Sequence, residues 1–146
     1  MPRGREATSD PLPDSQSARF NTRVIVVYKT GNYLSNRERD AVREYLERLR
    51  SVYGNGVLRV VLYGSKARGD FDAESDLDLF VVLHQADRDQ REQLERAGFE
   101  IGLKYDLVLS DLIVDETRLT WMRQHREPFY EQVQKEGVEL WTATAE

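Results

Sequence analysis

Cysteine is absent from the 146 residues. Its absence excludes disulfides, cysteine-ligated zinc and thiol nucleophiles, and leaves the redox compartment only weakly bounded. Long apolar runs are missing too. The apolar stretches are strand-sized, so no membrane span is expected, and the first residues lack the apolar core of a signal peptide. A cytoplasmic location is the resulting expectation. Basic charge is scarce: 21 Lys and Arg face 26 Asp and Glu, a net charge of −5. A broad basic footprint for nucleic acid is therefore not expected. The acidity suits a metal site and a basic partner instead. The length accommodates one domain with one substantial core.

Residues 1–20 are rich in Pro, Ser, Asp and Arg and show no apolar periodicity, which predicts a disordered tail. A single domain is expected over 21–146, with its core at about 36–142. Residues 24–28 read as a short strand and 29–32 as a turn. Ser35 with Glu38 forms a capping-box pattern. It opens a helix to about Tyr53, whose apolar stripe is Ala41, Val42, Tyr45, Leu46 and Leu49. Strands are expected over 57–63, 76–83 and 106–114. A helix capped by Asp87 should reach about Leu103, with Leu94, Ala97 and Ile101 inward. A short helix begins at Asp115 or Thr117. Pro128 opens a last helix and Gly137 stops it. Residues 138–141 read as an edge strand or a packed tail.

The chemistry concentrates in 60–83. An apolar strand runs into Gly64-Ser65, a polar loop follows, and a second apolar strand opens with Asp76-Leu77-Asp78. Strand side chains alternate, so Asp76 and Asp78 point the same way. Mg²⁺ takes hard oxygen ligands, usually one or two carboxylates plus substrate phosphates. Gly64 lets the backbone approach a phosphate closely. Ser65 adds a hydroxyl and, if a helix starts there, amide donors. Lys66 and Arg68 are close enough in sequence to neutralise a polyphosphate. Gly-Ser alone is ordinary turn chemistry. Two like charges on one face of a core strand, however, repel unless a cation sits between them. The combination predicts a site for a metal-bound nucleoside triphosphate. His84 and His125 read as strand-end and solvated histidines. The arginines of the first helix alternate with glutamates, which suits a salt-bridged face.

The segment resembles the G-S-x10-D-x-D signature of the DNA polymerase β-type nucleotidyltransferase superfamily, and specifically its minimal nucleotidyltransferases, over about 36–142. The resemblance implies an α+β nucleotidyltransferase fold: a small mixed or antiparallel sheet with helices packed mainly on one side. It implies that Gly64 and Ser65 hold the triphosphate, with Lys66 and Arg68 beside it, and that Asp76 and Asp78 bind Mg²⁺. It also implies a third carboxylate from a later strand, for which Asp106 is preferred over Asp111. ATP is the implied donor. The implied acceptor is a hydroxyl, foremost a tyrosine of a HEPN-type toxin partner, which would make the chain an antitoxin. A small-molecule acceptor resembling an aminoglycoside is one alternative. Neutralisation of a toxin by binding alone is the other. A homo- or hetero-oligomer is compatible with either.

Overall fold

A computed structural model describes residues 20–24, 33–70 and 76–145. In chain order the elements are β1 (Phe20–Val24), α1 (Asn36–Tyr53), a 3-10 turn (Gly54–Gly56), β2 (Val57–Tyr63) and α2 (Ser65–Arg68). Then follow β3 (Leu77–Leu83), α3 (Arg88–Tyr105), β4 (Leu109–Asp115), α4 (Glu116–Gln124), α5 (Pro128–Glu136) and β5 (Val138–Ala145). The strands form one mixed sheet in the order β1-β5-β2-β3-β4. Only β3 and β4 run parallel; the other neighbours are antiparallel. Among the described residues no helix is long and apolar enough to cross a membrane.

Local chemistry explains most boundaries. The Ser35 hydroxyl accepts from the Glu38 amide at 3.1 Å, and Glu38 Oε1 accepts from the Ser35 amide at 2.8 Å. This reciprocal pair satisfies two orphan amides at the start of α1. Asp87 and Asp115 cap α3 and α4 in the same manner, each accepting from an amide three residues on at 2.8 Å. Gly137 ends α5 for a steric reason. Its φ is −71°, open to any residue, but a Cβ there would collide with the Val61 side chain.

The long helices α1 and α3 cover one face of the sheet. Leu77, Leu79, Val81 and Leu83 of β3 meet Tyr45, Leu49, Leu94 and Ile101 there. The opposite face is also covered. Val61, Phe80, Val82 and Val114 pack against Leu119 and Met122 of α4 and Tyr130 and Val133 of α5. Alternate residues of β3 thus serve two cores, which is why its sequence is apolar at nearly every position. Each fully buried side chain contributes about 1.5–3 kcal/mol relative to exposure.

Two expectations are revised and a third is not reached. Residues 138–141 belong to an interior strand, β5, held between β1 and β2. Val138, Leu140 and Trp141 are buried there, which an edge or tail would not achieve. The strand expected from Asp106 begins at Leu109, because α3 continues to Tyr105. The strand expected over 24–28 lies outside the described residues except for Val24, which ends β1.

Candidate functional site

The site forms where β2 hands the chain to α2 beside the start of β3. Tyr63, the last residue of β2, pairs directly with Asp78. The next residue, Gly64, has φ 79° and ψ −159°. A Cβ at Gly64 would stand 2.5 Å from Asp78 Oδ2. Glycine is therefore required twice, by its backbone angle and by the carboxylate against it. The Gly64 carbonyl accepts from the amides of Ala67 and Arg68 at 3.0 and 3.1 Å. A helical turn thus starts at Ser65, with its leading amides at the end nearest the glycine. Gly69 closes the turn with φ 91°, and a Cβ there would lie 2.7 Å from Cζ of Tyr33.

Asp76 is exposed and Asp78 half-buried. Burial pushes the Asp78 carboxyl above its ordinary range, the charge of Asp76 pushes it further, and Arg68 pulls it back. Asp78 stands against Gly64 and pairs with Tyr63, two residues after Asp76, at the end of the sheet where β2 passes into α2. Two acids close in sequence, of which Asp78 holds its proton more tightly than an ordinary carboxyl, form a site where a divalent cation would be stabilising.

The two cations of α2 face different ways. Lys66 is only 3% exposed, and its ammonium sits 2.6 Å from Glu38 Oε2. It points beneath the turn toward Glu38 of α1. Arg68 lies at the surface, with Nε 3.1 Å from Asp70 and Nη1 3.2 Å from Glu136. Those hydrogen bonds, to Asp70 and then Glu136, raise its pKa further.

Asp106 ends α3 in the left-handed conformation, φ 56° and ψ 55°, and is exposed. The Leu77 amide donates to the Val108 carbonyl at 2.9 Å, so the turn containing Asp106 lies at the same end of the sheet as Asp76. Asp111 pairs with Leu79 in the parallel register and so shares the α1/α3 face. There its Oδ2 accepts from the Tyr45 hydroxyl at 2.5 Å. The β4 residue facing the same way as Asp78 is its register partner, Ser110. Among the described residues, no three acids or histidines gather as a ready metal cluster.

Two features escaped the sequence reading. Glu38 serves both the cap of α1 and the anchoring of Lys66, but nothing in its local pattern points to a residue 28 positions away. A cleft of about 210 Å³ also adjoins Gly64, formed with α5 by Tyr63, Arg68, Phe129 and Glu136 among others. A larger depression of about 430 Å³ lies between α1 and α3, rimmed by Arg48, Glu92, Arg96 and Glu100. It is on the other side of the sheet from Asp78 and holds none of the motif residues. His84 pairs through Nδ1 with Glu116 at 2.8 Å, beyond the far end of β3. His125 stacks on Trp121 at 4.3 Å.

The nucleotidyltransferase domain family model matches residues 39–139. Two proteins of Methanocaldococcus jannaschii, each named a putative protein adenylyltransferase, are similar. One is 28% identical over 102 residues, 69% of this chain and 96% of the relative. The other is 29% identical over 108 residues, 71% of this chain and 98% of the relative. A crystal structure of a toxin-antitoxin with AMP-PNP superposes with a TM-score of 0.50 at 21% identity, covering 74% of each chain, a likeness of fold.

Proposed function

The chain belongs to the nucleotidyltransferase domain family, and from that premise we propose that it moves AMP from ATP onto a protein hydroxyl in a Mg²⁺-dependent reaction. The acceptor we propose is a tyrosine of a HEPN-type toxin, with this chain as the antitoxin. The observation that carries the reading is the contact between Gly64 and Asp78: the turn suited to phosphate and the carboxylate suited to metal are one structure. The names of the relatives support a protein acceptor. The nucleotide analogue and toxin named for the structural neighbour agree with the donor and the partner.

In this reading Gly64 and the amide end of α2 hold the triphosphate, with Ser65 adding its hydroxyl. Asp76 and Asp78 supply the hard oxygen ligands, and Asp106, at the same end of the sheet, is the proposed third carboxylate. Mg²⁺, when bound, would neutralise phosphate charge and orient the α-phosphorus. The acceptor oxygen bonds to the α-phosphorus, the bond from that phosphorus to the bridging oxygen breaks, and pyrophosphate leaves. The hydroxyl proton passes to a carboxylate or to water. Arg68 balances charge on the phosphates once it leaves Asp70 or Glu136. Positioning and charge stabilisation supply most of the rate. Lys66 acts from below, by holding α2 to Glu38.

Intact-mass spectrometry of the toxin partner after incubation with ATP, Mg²⁺ and this chain tests the reading. One adenylate of added mass per modified hydroxyl is expected, and none with D76A/D78A. Neutralisation of the toxin by that double variant would instead show control by contact alone.

A further inference from the structure

The cleft beside Gly64 has a chemistry of its own. Its volume is about 210 Å³, below the ~300–1,000 Å³ typical of pockets that enclose a whole ligand. It suits one ring system of a ligand whose remainder lies outside. The wall is almost wholly apolar, formed by Tyr63, Phe129 and Val133. Tyr63 and Phe129 meet edge-on, 5.2 Å apart at 88°, and both remain half-buried rather than sealed. The rim is polar. Glu136 accepts from Arg68 at 3.2 Å and from the Gln132 amide nitrogen. That arrangement leaves the Gln132 carbonyl oxygen as a further acceptor. The cleft thus combines an apolar wall built from two perpendicular aromatic rings, a rim rich in acceptors, and direct contact with the proposed phosphate turn.

We propose that this cleft seats the nucleobase of the donor nucleotide, and that Gln132 and Glu136 select adenine through its exocyclic amino group. The inference rests on the reading of Gly64 and Ser65 as the triphosphate seat. A base tethered to that triphosphate through one ribose must lie in a depression next to the glycine, and this cleft touches it. An amino group donates to the amide carbonyl or the carboxylate of the rim. A keto oxygen at the same position faces those oxygens without a proton between them, which discriminates by repulsion as well as by attraction. The acidic rim equally disfavours a phosphate, so the triphosphate and the base occupy opposite ends of Arg68.

ATP and inosine triphosphate differ at this position, amino against keto, and provide the test. Their affinities would be measured with Mg²⁺ on the full chain and on Q132L/E136L and F129A. The wild type should prefer ATP by about tenfold or more, as expected where a site is built to hydrogen-bond the group that differs. Q132L/E136L should lose that preference while keeping its melting temperature, since Gln132 is exposed and Glu136 only partly covered. F129A should weaken both nucleotides together, and F129L should recover part of the loss. Unchanged affinity and preference in Q132L/E136L would overturn the assignment, including the case where only the KM of the acceptor moves. A wild type that binds neither nucleotide would overturn the reading of the phosphate turn, and this inference with it.

Discussion

The β2-α2-β3 unit and the α3-β4 unit both bring acids to the same sheet, with opposite outcomes. In the first, a glycine turn meets Asp78 of the next strand, with Asp76 just before that strand begins. In the second, α3 runs on to Tyr105. Asp106 is left in an exposed helix cap, and Asp111 is turned toward Tyr45 on the α1/α3 face. The lesson is one of parity. In β3 Asp78 lies on the face turned away from α1 and α3, beside the turn at Gly64. In β4 the parallel register gives that face to Ser110 and sends Asp111 to α1 and α3.

Substitutions can break or sharpen this contrast. The largest effect is expected at β3. Asp76→Asn or Asp78→Asn should lower nucleotidyl transfer by on the order of 10³-fold. The melting temperature should hold or rise, because two like charges are reduced to one; calorimetry beside a transfer assay checks both.

Lys66 comes next. Lys66→Met strands Glu38 as a covered, unpaired acid and should cost about 3–5 kcal/mol in urea unfolding. Glu38→Gln combined with Lys66→Met should restore part of it, which no direct role of Lys66 on phosphate would predict.

On the α3-β4 side, Tyr45→Phe removes the donor to a half-buried Asp111 and should cost about 1–3 kcal/mol of stability. Asp106→Asn should change stability by no more than about 0.5 kcal/mol, as expected for an exposed position. If Asp106 is the third carboxylate, transfer falls by about tenfold or more in the same variant. Unchanged transfer would leave the site with two acids.

The smallest effect is a pH dependence. Burial pushes Glu38 up, but the hydrogen bonds from Lys66 and the Ser35 amide outweigh it and hold the carboxyl below its ordinary range. A lowered folded pKa stabilises above the unfolded value of about 4.3, and that stability is lost as pH falls through the folded value. Stability of the wild type should therefore drop on the acid side more steeply than that of Glu38→Gln, as thermal melts from pH 6 to 3 would show.

The meeting of Gly64 with Asp78 was legible because its geometry is local: one strand, one turn and the next strand relate them, and those can be read from spacing alone. The capping box of α1 and the Asp87 cap of α3 were legible for the same reason. Asp106 was misread as a strand entry because a helix end and a strand start differ there by only a few residues. Lys66 resembled a phosphate ligand by position, and only the fold reveals its ion pair with Glu38 of α1.

The sequence by itself determined the helices, the apolar strands and the meeting of a glycine turn with Asp78 of the next strand, since each depends on neighbours within a few residues. Tertiary structure alone decided that 138–145 inserts between β1 and β2, that α5 walls a cleft beside Gly64, and that Lys66 turns inward while Arg68 turns out. Those outcomes depend on which distant residues share a face, and register and packing settle that only when the sheet is assembled.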